Sequence, residues 1–114
     1  MNNPAVSLIA KNLADCIELY ITDRKNLSTN TVRYYRGSLS SFFLFCSLMG
    51  IKQVDQLDAS LIKRYLITLE NQGYNAGGVH AKWRAVRAFM NWYAIKTGWS
   101  VPAITVRLPK MQHV

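Results

Sequence analysis

Apolar residues recur every three or four positions in four separate stretches, and no useful length of chain alternates apolar with polar residues. Spacings of three and four line one face of an α-helix, whereas alternation lines one face of a strand. The chain is therefore read as all-α, with four helices and short punctuated connections. Its 114 residues, half of them hydrophobic, suffice for one domain around one core.

The first helix is expected from about Ser7 to Arg24, with Ser7 as its cap. Its stripe is Leu8, Ile9, Leu13, Ile17, Tyr20 and Ile21. Ser28 or Thr29 caps a second helix running to about Met49. Its buried stripe is Val32, Tyr35, Leu39, Phe42 and Cys46, widened by Phe43 and Phe45, and Gly50 stops it. Asp58 caps a third helix bearing Leu61, Ile62, Tyr65, Leu66 and Leu69, which ends at Gly73, while Val54 and Leu57 pack the preceding loop onto the core. The fourth helix carries Val79, Trp83, Val86, Phe89, Met90 and Tyr93 and ends near Thr97 and Gly98. Glycine costs about 1 kcal/mol relative to alanine inside a helix. Gly77 and Gly78 are accordingly placed at or before its first turn, where the missing side chains let the helix end approach another backbone.

Residues 1–101 are thus read as the helical domain. Residues 102–114 are read as a tail or linker, because Pro102, Pro109 and the lack of periodicity exclude a helix there. No apolar run approaches the roughly 20 residues that cross a bilayer, and the N-terminus shows no signal peptide pattern. Cys16 and Cys46 sit in apolar helical patterns without paired-ligand spacing. They read as reduced core thiols of a cytoplasmic protein.

The formal net charge is +8. The acids fall in two windows, Asp15, Glu18 and Asp23, then Asp55, Asp58 and Glu70. Arg24, Lys25, Arg33, Arg36 and Lys52 occupy a segment without carboxylates, as do Lys82, Arg84, Arg87, Lys96, Arg107 and Lys110. Eleven of fourteen cations therefore lie in acid-free chain, and such segregation points to a polyanionic partner.

Away from its core stripe, the second helix carries Arg33, Tyr34, Arg36, Gly37, Ser40 and Ser41. Tyr35 is expected in the core and Tyr34 at the surface. The fourth helix carries His80, Lys82, Arg84, Arg87 and Asn91 off its stripe. Arginine can grip guanine edges by a bidentate fork, while lysine, serine, threonine and asparagine suit phosphates. The candidate contacts to double-stranded DNA are Ser28, Thr29, Asn30, Arg33, Arg36 and Ser40, with Gly77, His80, Lys82, Arg84 and Arg87. No catalytic residue, metal site or cofactor is expected. The six carboxylates make no metal-spaced pair with histidine, and Gly77-Gly78 lacks the lysine and hydroxyl residue of a phosphate loop.

These residues also resemble a family. Leu27-Ser28-Thr29-Asn30-Thr31-Val32-Arg33-Tyr34-Tyr35 resembles the opening of the second helix in the N-terminal core-binding domain of phage-integrase-type tyrosine recombinases. Leu39 and Phe42 continue the pattern, and Val54 to Leu69 resembles that family's loop and third helix. Val79 to Met90 resembles its fourth helix, Gly98 with Pro102 its exit, and Leu108-Pro109-Lys110 the start of a linker to a catalytic domain. Trp83 stands where the family usually has leucine, and Gly77-Gly78 replaces a serine- or threonine-rich opening.

The resemblance implies a four-helix orthogonal SAM-like bundle whose second and fourth helices meet DNA. The chain would then be the DNA-binding clamp of a site-specific recombinase or integrase. It would not be an enzyme itself, since recombination would belong to a separate C-terminal catalytic domain, with further recombinase protomers as partners. A stand-alone helical DNA-binding regulator and a basic protein-interaction module are the alternatives.

Overall fold

A computed structural model describes residues 12–24 and 26–102. It contains α1 (Leu13–Asp23), α2 (Thr29–Leu48), a 3₁₀ turn (Val54–Gln56), α3 (Ala59–Asn71) and α4 (Ala76–Thr97). Among the described residues there is no strand, only an isolated bridge between Asn12 and Gln53. No described helix is long and apolar enough to cross a membrane.

Side-chain caps fix the helix starts. Ser28 Oγ accepts from the Thr31 amide at 3.2 Å, Asp58 Oδ1 from Leu61 at 2.8 Å and Asn75 Oδ1 from Gly78 at 2.8 Å. Each bond satisfies a helix-end amide that has no partner within the helix. Gly98 closes α4 at φ 79°, its amide bonded to the Ala94 carbonyl at 2.8 Å, and Gly50 follows α2 at φ 77°. A side chain at either position would crowd the backbone.

The start of α1 corrects the sequence reading. Asn12, in extended conformation, caps the helix and accepts from the Asp15 amide at 3.1 Å. The Leu13 amide donates to the Lys52 carbonyl at 2.8 Å. A tertiary bond to the α2–α3 connector thus sets where α1 begins. The expected start at Ser7, with Leu8 and Ile9, lies outside the described residues, as does the tail beyond Pro102.

The core has two aromatic centres. Tyr20 meets Tyr35, Phe89 and Trp92 edge-on, at centroid distances of 5.5, 5.7 and 5.4 Å. Phe42 and Phe45 pack on Tyr65 at 5.0 and 5.2 Å. Edge-to-face pairs of this kind add to the stabilisation from burial. α4 contacts all three other helices and buries Val79, Trp83, Val86, Phe89, Met90, Trp92 and Tyr93. Trp99 packs on Tyr93, and half-buried Val101 closes the described domain against the core.

Cys16 and Cys46 are buried thiols, as expected. Burial, assisted by the Asp15 charge, pushes Cys16 up to about 11, and burial pushes Cys46 up to about 12.

Two expectations on α2 fail. Phe43 is 36% exposed, and Ser38, at 5%, takes a place in the buried stripe. Phe42 and Phe43 point about 100° apart on a helix, so both cannot face the same core. Tyr34 is half-buried rather than at the surface, because its ring lies beside Tyr35 and its hydroxyl reaches α4.

Candidate nucleic-acid interface

The N-terminal halves of α2 and α4 are tied together. Tyr34 on α2 donates its hydroxyl proton to the carbonyl oxygen of Ala81 on α4. Further along α2, the Tyr65 hydroxyl of α3 donates to Ser41 Oγ at 3.3 Å. These bonds tie α2 to α4 near Tyr34 and to α3 near Ser41.

Helical geometry sorts the candidates. On α2, Thr29, Arg33, Arg36 and Ser40 follow one another at intervals of four, three and four, and all are exposed. On α4, Gly77, His80, Arg84 and Arg87 follow at three, four and three, exposed except for half-buried His80. Each set forms one continuous stripe. Ser28 and Asn30 are exposed at the α2 start, where Ser28 is engaged as the cap and also shares a 2.8 Å hydrogen bond with Thr31.

Lys82 stands apart from its expected companions. It is half-buried and lies about half a turn from the Arg84 stripe. Its ammonium sits 5.2 Å from the centre of the Tyr74 ring. Tyr74 belongs to the turn between α3 and α4, and neither it nor Tyr34 was singled out as a site residue from sequence. The available signal was an aromatic residue wedged between Gly73 and the Asn75 cap.

At Gly78 the expected approach of a second backbone is corrected. Both glycines lie inside the first turn of α4. A Cβ on Gly78 would stand 3.2 Å from Tyr74 Cδ1, so the close neighbour is that ring.

The surface is less free of acid than the chain order implied. Arg36 Nη1 donates to Glu18 Oε1 of α1 at 3.2 Å, both side chains being more than half exposed. Such a pair is worth at most about 1 kcal/mol, yet it puts a carboxylate beside the α2 stripe. Ser40 lies with Glu18, Phe43, Ala14, Ile17 and Leu39 around a shallow groove of about 200 Å³ between α1 and α2. Arg33, Arg84 and Arg87 make no ion pair among the described residues. No group of metal-ligating side chains occurs among those residues.

Exposed guanidinium and hydroxyl groups of this kind can donate hydrogen bonds to anionic oxygens. The chain is 24% identical over 99 residues to the tyrosine recombinase XerC of Escherichia coli O6:K15:H31, covering 80% of this chain and 33% of that protein. It matches XerC of Shigella flexneri serotype 5b to the same extent. It is 29% identical over 73 residues to XerC of Yersinia pestis, covering 64% of this chain and 24% of the relative. The chain thus spans about a third of the length of the first of these curated relatives. No solved structure matches it. Residues 18–96, well over half the chain, match the family described as phage integrase, N-terminal SAM-like domain, and with its packed helices the chain belongs to that all-α family.

Proposed function

We propose that this domain binds double-stranded DNA as the core-site clamp of a site-specific tyrosine recombinase. It orients the duplex while a separate catalytic domain carries out recombination or integration. Its partners are then DNA inside the cell, that catalytic domain and other recombinase protomers in a synaptic complex. The observation that supports this reading is that α2 and α4, which carry the exposed cations Arg33, Arg36, Arg84 and Arg87, are joined near their starts by the bond between Tyr34 and Ala81. The recombinase identity of the relatives supports it.

In this arrangement Arg33, Arg84 and Arg87 meet bases or phosphates, His80 and Lys82 meet phosphates, and the small residues Ser28, Thr29, Asn30, Ser40 and Gly77 allow close approach. Arg36 contributes through whatever freedom Glu18 leaves it.

The test is titration of the 114-residue chain with labelled duplex DNA. About four phosphate contacts give a log–log salt slope near −3.6, so affinity falls on the order of a hundredfold between about 50 and 200 mM salt. Joint replacement Arg33→Ala and Arg84→Ala weakens binding by about tenfold or more. Lys63→Ala on α3 changes it little. Salt-independent affinity, or equal losses from Lys63→Ala and the double variant, would overturn the assignment.

A further inference from the structure

The turn before α4 holds an arrangement that the stripe reading leaves unexplained. Lys82 is a half-buried ammonium on an aromatic face, and no carboxylate among the described residues pairs with it. The entire segment from Asn71 onward contains no acid. Tyr74 is 42% exposed, so its ring is not held by deep burial. It lies instead against the first turn of α4, where residue 78 has no side chain to push it away.

Helical side chains lean toward the N-terminus of their helix. Lys82 follows this rule and reaches back to Tyr74, immediately before the Asn75 cap. Lys82 therefore delivers its charge to the N-terminal end of α4, about half a turn round the helix from the Arg84 stripe. An ammonium resting on a ring keeps its outward hemisphere available to an anion. Its flexible stem has also already lost much of the freedom that binding would otherwise remove.

We propose that Tyr74 is a positioning residue that holds Lys82 for a backbone phosphate of the bound duplex. This proposal rests on the DNA-binding reading above and adds a residue and a dependence that reading does not contain.

The test uses the same 114-residue chain and a labelled mixed-sequence duplex. Lys82→Ala weakens binding and brings the salt slope about 0.9 closer to zero, the signature of one lost phosphate contact. Tyr74→Leu keeps an apolar cover on the turn but removes the ring, and weakens binding about two- to fivefold, the worth of one exposed cation–π contact. Tyr74→Phe keeps the ring and binds as the unaltered chain does. Once Lys82 is alanine, Tyr74→Leu adds nothing.

Three results overturn the inference while leaving DNA binding intact. Tyr74→Leu binds as well as or better than the unaltered chain; Tyr74→Phe loses as much as Tyr74→Leu; or Tyr74→Leu still weakens binding in the Lys82→Ala background. Failure of the unaltered chain to bind duplex in a salt-dependent way removes the parent reading instead.

Discussion

Replacing Asp23 with alanine removes the carboxylate that joins the end of α1 to α4. Asp23 Oδ2 accepts from the Trp92 indole Nε1 at 2.7 Å, and Lys96 Nζ lies 3.8 Å from the same oxygen. A hydrogen bond to a charged group is worth about 1.5–3 kcal/mol. The lower part of that range applies, because the Asp23 side chain is 46% exposed and water can reach the vacated site. The Lys96 pair, exposed to a similar degree, adds at most a few tenths of a kcal/mol. Asp23→Ala therefore costs about 1.5–2 kcal/mol, or about 6–8 °C in the thermal midpoint for a domain of this size. Trp92→Phe deletes the donor, so Asp23→Ala made in that background costs under about 0.5 kcal/mol. Asp23→Asn, whose amide oxygen still accepts, retains most of the stability. Thermal melts followed by circular dichroism on the four proteins read out the cycle. An unchanged midpoint for Asp23→Ala, or an equal loss in both backgrounds, would refute the reasoning. The DNA salt slope should not weaken in Asp23→Ala, since the change removes negative charge and touches neither stripe.

Tyr34→Phe keeps the ring contact with Tyr35 and deletes the hydroxyl bond to Ala81; about 0.5–1.5 kcal/mol is lost, read as a lower midpoint, together with weaker duplex binding. Asp58→Ala removes the cap on the Leu61 amide and costs about 1 kcal/mol, or about 4 °C in a melt. At pH 8, raising the thiols from 9.0 to about 11 and about 12 cuts their thiolate fractions about a hundredfold at Cys16 and about a thousandfold at Cys46. The folded chain accordingly resists iodoacetamide until denaturant is added. Because both values are raised in the folded state, the stability they contribute is complete below about pH 9 and is lost as pH climbs through about 11 and then 12; chemical denaturation across that range measures it.

Three of the four helices were legible because local signals agreed. Ser28 and Asp58 each precede an apolar period that ends before a glycine, and α4 showed its stripe and its Gly98 stop, although Asn75 was not named as its cap. α1 was misjudged at its start because apolar spacing runs through Asn12 without a break. What ends the helix there is the bond from Leu13 to Lys52, a partner that only folding brings near. The run Phe42-Phe43-Leu44-Phe45 is apolar all round the helix, so periodicity could not exclude Phe43 from the core. The cationic stripes could be read from composition and spacing, since they depend only on the period of a helix. Tyr34, Tyr74 and the pairing of Glu18 with Arg36 could not, because each depends on which helix lies opposite.

Glu18 and Arg36 meet across the α1–α2 groove as a neutral couple, and Lys96 stands near Asp23. A duplex that encounters a neutral couple sheds few of its condensed ions there, so these cations add little to indiscriminate adhesion. On the proposed reading, the domain grips random DNA less firmly than its 14 lysines and arginines alone suggest. A shorter dwell on each wrong sequence lets a searching protein sample more of them in a given time. The few acids of this chain would then act on search kinetics as well as on the fold, by shortening the time lost on unproductive sites.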